Sequence, residues 1–346
     1  MANVLITKFR EFTDVIMSLP VIYSACLSHK EHTFTLVTRP SLVSLFINKP
    51  DNLRVEGVDI ARVSTLRAAL EIWNTCKKTY SPDVYISLDN SPIYKFIAIR
   101  ARIDRTKTSI VKKVKHFRRL IRNNDKLMLP LASARSRYRE AFFRVGLPVQ
   151  EHFHGLYGID GKGDSTLFSA MTTPPAKGEK WIGIAPFAKH TGKAYPTNLM
   201  EQVIEILGKE LAGVKIILFG GGERELDIMQ QWAHKYPYAV SPAMARLGFP
   251  AELSLLSYLD VMLTMDSANM HLASLAGVPV ITIWGATHPY CGFKGWHQTE
   301  SATISLPMPC RPCSLYGDKE CHRQDYHCIT AIKPRFIADK IIAALQ

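Results

Sequence analysis

The segment Leu263-Thr-Met-Asp-Ser-Ala-Asn-Met-His-Leu272 carries the densest chemistry in the chain. An apolar run passes straight into small and polar residues, then into a helix pattern over Met270–Ala276 that Gly277 closes. A helix start offers unpaired N–H groups and a partial positive charge, which suits a diphosphate. Ser267 adds a hydroxyl donor, and the small Ala268 permits close approach. The competing reading makes Asp266 and Ser267 helix caps and His271 a buried, satisfied histidine. A second turn runs from Ala185-Pro-Phe-Ala-Lys189 through Lys193-Ala-Tyr-Pro196. Lys189 and Lys193 are placed there to meet a phosphate, or else they are solvated loop lysines. In Phe219-Gly-Gly-Gly-Glu223, three glycines imply a tight turn or a close backbone approach to a ligand. Glu223 can accept from ribose hydroxyls, or it complements a helix dipole. Asp14 stands at the start of a helix pattern. It is either a cap or a general base in a cleft. Neither a GxGxxG fingerprint nor a P-loop is present.

Four of the seven cysteines, Cys310, Cys313, Cys321 and Cys328, fall within nineteen residues and open with CxxC. Such a set can form a tetrahedral structural zinc site, although the spacing of the second pair is wide. Reduced cysteines packed in a loop-rich segment are the alternative.

Side chains at turns act together only if strands and helices bring the turns to one edge. Asn3–Lys8 reads as a buried first strand and Asp14–Leu27 as a helix, with Val15, Leu19, Ile22 and Cys26 recurring every three to four residues. Thr33–Thr38 and Val84–Leu88 read as further strands. Gly, Ser, Thr and Pro dominate around Asp160–Lys180, as in an interdomain linker. The alternation then restarts with strands at Trp181–Ala185, Val214–Phe219, Val261–Thr264 and Val280–Trp284. Strands alternating with helices imply parallel βαβ units. Ligands of such sheets bind beyond the carboxyl ends of the strands, where these turns fall.

The chain has 346 residues, 47% of them hydrophobic, enough for two domains with separate cores. Its net charge of +13 calls for an anionic partner. Arg100–Arg122 holds ten Lys and Arg residues against the single acid Asp104. Val114, Phe117 and Ile121 there fit one face of a short helix. The stretch is either a solvated surface or a face for lipid phosphates or an anionic acceptor. No window reaches the ~18–20 apolar residues of a membrane span, and no secretory signal is recognisable. A cytoplasmic location is expected, peripheral on the inner membrane face.

Together these segments resemble the glycosyltransferase family 9 heptosyltransferases. The resemblance rests on Val4-Leu-Ile-Thr-Lys-Phe-Arg10, Asp14-Val-Ile-Met-Ser-Leu-Pro20, Asp266-Ser-Ala-Asn-Met-His-Leu-Ala273, Gly277-Val-Pro279 and Trp284-Gly-Ala-Thr-His-Pro289. The cysteine cluster also resembles one found in many members. The likeness implies a GT-B fold of two Rossmann-like α/β domains facing a central cleft. The boundaries expected are 1–165 for an acceptor-binding domain, 176–332 for a nucleotide-sugar-binding domain, and 333–346 for a C-terminal helix packing back on the first. It implies inverting, metal-independent transfer of a heptose from an ADP-sugar to a lipopolysaccharide core, an anionic lipid-linked glycan. Asp14 matches the catalytic base and Lys193 the lysine on the donor phosphate. Asp266, Ser267, Ala268, Asn269 and His271 match the donor-phosphate loop, with Lys189 beside it. Glu223, with Glu225 as its rival, matches the carboxylate near the ribose. Thr13 and Ala268 stand where the family usually has glycine, so another nucleotide-sugar donor is the alternative. No cofactor is implied beyond the structural zinc. A nucleic-acid-binding role for the basic stretch is the reading from a different class. No nucleic-acid motif supports it, and no nucleic acid is expected as a partner.

Overall fold

The computed structural model describes residues 1–59, 65–121, 126–240 and 248–346. The short apolar runs become parallel strands because helices cover them, so both faces of each strand need apolar residues. In the first unit the strands are β1 (Asn3–Thr7), β2 (Thr33–Thr38), β3 (Leu53–Gly57), β4 (Val84–Ser87) and β5 (Lys107–Ile110). They pair in the order β3-β2-β1-β4-β5, all parallel. Val4 lies opposite both Phe34 and Val84, so β1 is the central strand. The order reverses between β1 and β4, and the carboxyl ends of those two strands open at this switch point.

The helices of this unit are α1 (Phe12–Ser28), α2 (Leu66–Tyr80), α3 (Pro92–Ile103) and α5 (Ala134–Phe143). Leu5, Tyr85, Trp73 and Tyr94 meet in its core. Burying an indole wastes its N–H unless a partner is found. Trp73 Nε1 finds Asp104 at 2.7 Å.

The second unit has a six-stranded parallel sheet. Its strands are β6 (Lys180–Ala185), β7 (Val214–Leu218), β8 (Ala239–Val240), β9 (Val261–Met265), β10 (Val280–Ile283) and β11 (Thr303–Ile304). The order is β11-β10-β9-β6-β7-β8, with the switch point between β6 and β9. Around it lie α4 (Phe117–Ile121), α6 (Thr197–Glu210), α7 (Glu223–Lys235), α8 (Phe249–Leu256), α9 (Ala268–Leu275), α10 (His327–Thr330) and α11 (Pro334–Ala344). Ile182, Ile184, Ile204, Trp232, Leu263 and Ile283 belong to its core.

The division of the chain differs from the sequence expectation. One unit comprises Met1–Lys115 with Ala132–Leu156, and the other His116–Leu131 with Tyr157–Gln346. The Gly- and Ser-rich stretch expected to be a linker is packed into the second unit. Gly163 N–H donates to Ser257 Oγ at 2.8 Å, Ser254 Oγ donates to the Asp164 carbonyl at 2.7 Å, and Phe168 is fully buried. Small residues serve close packing there rather than flexibility: a Cβ on Gly163 would sit 2.6 Å from Ser254 Cα. The C-terminal helix α11 was expected on the first domain. Its Ile337, Ala338 and Ile341 instead complete the core of the second unit.

The basic stretch is divided between the two units. Its first half closes α3 and forms β5 in one unit, and α4 belongs to the other, where Leu120 is the buried side chain. Arg122 lies outside the described residues.

Candidate active site

The turn after β1 holds Asp14 in the first turn of α1. A side chain there needs its helix fixed, and α5 packs along α1 with the Tyr138 hydroxyl donating to the Asp14 carbonyl at 3.4 Å. Facing Asp14 is Lys8, whose Nζ lies 3.6 Å from Asp14 Oδ2. Lys8 is only 1% exposed, a costly place for an ammonium without a partner. The partner is Asp89, just beyond β4 and 3% exposed. Lys8 Nζ donates to Asp89 Oδ1 at 2.5 Å and to the Arg10 carbonyl at 3.1 Å. Asp89 Oδ2 accepts from the N–H groups of Phe9, at 2.6 Å, and Arg10, at 3.3 Å. Asp89 thus neutralises Lys8 and ties down the loop that leads to Asp14.

The Asp14 carboxyl is 36% exposed. Burial of the rest pushes its pKa above the ordinary 3.8; the Lys8 charge opposes this and Asp89 adds to it. A carboxylate in this setting is a better base than a solvated one.

In the second unit, the turns after β6, β9 and β10 meet. Asp266, directly after β9, is buried. Its Oδ2 takes Lys193 Nζ at 3.1 Å and the Thr287 hydroxyl at 2.8 Å. Ser267 occupies the N-cap position of α9, yet its side chain makes no cap hydrogen bond. Its hydroxyl lies 3.2 Å from Thr264 Oγ1 instead. The capping alternative for this pair therefore does not describe their side chains, and no side-chain cap covers the first-turn N–H groups. Ala268 and Asn269 lie in that first turn, half-buried, and His271 is buried one turn on.

Lys193 ends a short 3-10 turn, Thr191–Lys193, whose path is set by close backbone packing. The Ala286 N–H donates to the Gly192 carbonyl at 2.7 Å, and a Cβ on Gly285 would fall 2.3 Å from that same oxygen. The lysine stem crosses Gly317, which has φ +79°. A Cβ there would lie 2.4 Å from Lys193 Cδ. Both geometry and conformation demand glycine at this position.

Arg311 braces the same loop from behind. It is 4% exposed. Its guanidinium donates to the carbonyls of Gly285, Leu306 and Thr287, the last at 2.9 Å. Three carbonyls spend the donor fork that a carboxylate would otherwise take. Burial and the Arg311 charge push His288 down to about 4, so it is neutral at neutral pH. Its Nδ1 accepts from the Tyr290 N–H at 3.1 Å.

Glu225 caps α7, accepting from Gly221 N–H at 2.8 Å and Gly222 N–H at 3.4 Å. Glu223 is exposed beside it, its carboxylate not spent on that cap. Lys189 is exposed on the turn after β6. Thr13 and Ala268 both take ordinary helical backbone, in the first turns of α1 and α9. The positive φ near Asp14 falls on Glu11 instead, at 49°. A Cβ at either position therefore costs no backbone strain; it only takes up space beside the turn.

Sequence reasoning assigned no role to Asp89, Thr287, Arg311 or Gly317. Asp89 had one available signal, a carboxylate directly after a short strand, as at Asp266. Thr287 lay within the Trp284–Pro289 segment that carries the family likeness, and Arg311 and Gly317 act by long-range packing.

The four C-terminal cysteines are reduced and line one small pocket with Met308, Arg323 and Asp325. Burial raises the Cys313 thiol, and pushes Cys328 up to about 11. Among the described residues, the set of three or more His, Cys, Asp or Glu ligand atoms that all lie within 4.8 Å of one another is at His29, Glu31 and His32, not at the cysteines.

A family profile described as glycosyltransferase family 9 (heptosyltransferase) matches residues 114–324, more than half of the chain. Lipooligosaccharide heptosyltransferase 2 of Campylobacter jejuni is 21% identical over 130 residues, which is 37% of this chain and 40% of that protein. The match thus spans well under two thirds of the relative's length. A family 9 glycosyltransferase from Veillonella parvula superposes with a TM-score of 0.72 at 14% identity, covering 99% of this chain and 97% of that one. The Escherichia coli heptosyltransferase WaaC with ADP-2-deoxy-2-fluoro heptose superposes with a TM-score of 0.60 at 17% identity, covering 91% and 96%. At such identities the likeness establishes the fold, GT-B.

Proposed function

Because the chain belongs to glycosyltransferase family 9, the heptosyltransferase family, we propose that it transfers a heptose or closely related sugar from an ADP-sugar to a lipopolysaccharide core or related glycan. The transfer inverts the anomeric centre and needs no metal at the reacting atoms. The observation that carries this reading is the Lys193–Asp266 pair, set against the N-terminus of α9. The E. coli structure named for its ADP-sugar, and the Campylobacter relative named for heptose transfer, support the choice of donor.

The donor diphosphate lies against the first-turn N–H groups of α9, Ala268 and Asn269 among them, with the Ser267 hydroxyl beside it. One Lys193 N–H is held by Asp266, and the other two face phosphate. Lys189 adds charge at the rim, His271 walls the loop, and Glu223 accepts from a ribose hydroxyl. Asp14 takes the proton of the acceptor hydroxyl as its oxygen attacks the anomeric carbon. The bond from that carbon to the diphosphate breaks, and ADP departs with the electron pair. Lys193 and the helix terminus stabilise the charge that develops on it.

Calorimetry with ADP, GDP and UDP tests the donor. ADP is expected to bind at least tenfold tighter than the other two. Binding of GDP or UDP instead would keep the fold's chemistry and overturn the ADP-sugar; binding of none would overturn the transferase reading.

The cysteine cluster fits a structural metal by its donor set. Four thiols come from one segment, and Lys126 and Arg311 act on them as neighbouring cations. Two positive charges suit a tetrathiolate that carries net negative charge around a divalent ion. Cys310, Cys313, Cys321 and Cys328 would hold zinc, which would brace the loop bearing Arg311 and Gly317 and take no part in the reaction. Elemental analysis is expected to find one metal per chain fewer in Cys310→Ser/Cys313→Ser than in the wild type. An equal metal content in the two would exclude the cluster.

No helix among the described residues is long and apolar enough to cross a membrane. Placement on the inner face of the cytoplasmic membrane is supported by α3, which exposes Lys95, Ile99, Arg102 and Ile103 along one stripe. Apolar and basic side chains together favour an anionic lipid surface. Co-sedimentation with phosphatidylglycerol vesicles is expected, and Ile99→Asp should abolish it. Equal pelleting with neutral vesicles would argue against the charge-assisted mode.

A further inference from the structure

The geometry points to a divalent transition-metal site at the foot of α1, formed by His29, Glu31 and His32. It stands apart from the transferase chemistry, and its test does not depend on that reading. The three residues form the turn from α1 into β2. Glu31 Oε1 lies 3.8 Å from His29 Nδ1 and 3.5 Å from His32 Nδ1. Ligands about 2.0–2.1 Å from a tetrahedral zinc lie about 3.3 Å apart, and the two histidine–carboxylate separations are within about 0.5 Å of that, with all three ligand atoms within 4.8 Å of one another.

The hydrogen bonding leaves the Nδ1 atoms of both histidines available to a cation. His29 Nε2 lies 2.9 Å from the Pro148 carbonyl, which can only accept. The proton of a neutral His29 therefore sits on Nε2, and its Nδ1 lone pair faces the Glu31 carboxylate. Two acceptors confront each other there. His32 Nδ1 is a buried atom that makes no hydrogen bond, and it is aimed at the same carboxylate oxygen. The two imidazoles stack with centroids 5.8 Å apart, which sets both rings beside the same carboxylate. One shared cation satisfies all three groups. Two imidazoles and a carboxylate suit Zn²⁺, Ni²⁺ or Co²⁺.

The surroundings are built to hold the ligands still. A metal-bound histidine commonly donates its other ring N–H to a carbonyl, as His29 does to Pro148. The His32 backbone N–H donates to the His29 carbonyl at 3.0 Å, which closes the turn. The Asn52 side-chain amide donates to the carbonyls of Cys26, His29 and His32 at 3.0, 3.2 and 3.0 Å. The turn is thereby pinned to the end of α1 and to the segment at Pro148. Glu31 is exposed, so an ion reaches the site from solvent. A bound ion would staple the end of α1 remote from Asp14.

The test uses the untagged full chain, stripped with chelator and titrated with Co²⁺. Nitrogen and oxygen ligands give d–d absorption without the thiolate charge-transfer band that the cysteine cluster would give. One equivalent without that band is expected. It should persist in Cys310→Ser/Cys313→Ser and disappear in His29→Ala/His32→Ala. Glu31→Gln, an exposed change that leaves the fold intact, should weaken this equivalent at least tenfold. Zn²⁺ should raise the thermal midpoint of the stripped cysteine variant and not that of a variant combining Cys310→Ser/Cys313→Ser with His29→Ala/His32→Ala. Cobalt that binds only with the thiolate band, or binding unchanged by Glu31→Gln, overturns the site.

Discussion

Asp14→Asn is expected to lower kcat by about 10²–10⁴ and to leave ADP affinity unchanged. The substitution is isosteric, so the proton acceptor goes while the first turn of α1 stays. The Lys8–Asp89 pair does not depend on it, because Asp89 holds Lys8 through a bond of 2.5 Å. The pH dependence gives an independent readout. Activity needs the ionised carboxylate, so kcat/KM falls as pH drops through the folded-state pKa. Burial raises that pKa, so the acid limb lies above the range of an ordinary aspartate. The stability sign runs the other way. A carboxyl whose folded pKa is raised keeps its proton to higher pH in the folded state than in the unfolded one. Stability from that source is present at low pH and is lost as pH rises through the unfolded and then the folded pKa. Asparagine carries no such loss, so the thermal midpoint of the variant at neutral pH should exceed that of the wild type. Turnover that survives the substitution would remove Asp14 from the role of base.

Lys193→Met should cost about 10²–10³ in kcat, the usual scale for removing a preorganised stabiliser of developing charge. ADP affinity should fall as well, because the diphosphate is present in the bound state. Methionine keeps most of the stem that packs across Gly317 and removes only the ammonium. It leaves Asp266 buried with the Thr287 hydroxyl, so the thermal midpoint must be measured beside the rates. A second variant moves the lysine without removing it. Gly317→Ala sets a Cβ 2.4 Å from Lys193 Cδ at a backbone φ of +79°. The stem must shift, and a misplacement of about 1 Å costs about a hundredfold in rate. Full activity in Gly317→Ala would show that the lysine's position does not matter. Unchanged ADP binding and rate in Lys193→Met would place the diphosphate elsewhere.

The places of Asp14, Lys193, Asp266 and Ser267 at strand-to-helix turns were legible because each lies between a short apolar run and the start of a helix pattern. That is a local signature, and the parallel sheets place such turns at their carboxyl edge. The linker expectation misled for a related reason. Gly and Ser mark either a flexible chain or a close approach, and only the neighbour at Ser254 distinguishes the two. The closing helix misled because its apolar stripe does not specify which core it completes.

The sequence by itself determined the alternation of strands and helices, the turns where chemistry gathers and the family likeness. These follow from short-range rules: apolar period, helix starts, and glycine where backbones crowd. The tertiary structure alone decided what those turns do for one another. Lys8 meets Asp89 across 81 residues, and Lys193 and Arg311 meet the loops after β9 and β10 only because the strand order brings these turns together. A buried charge must find its partner in space, and strand order, which no local pattern encodes, sets where that partner lies.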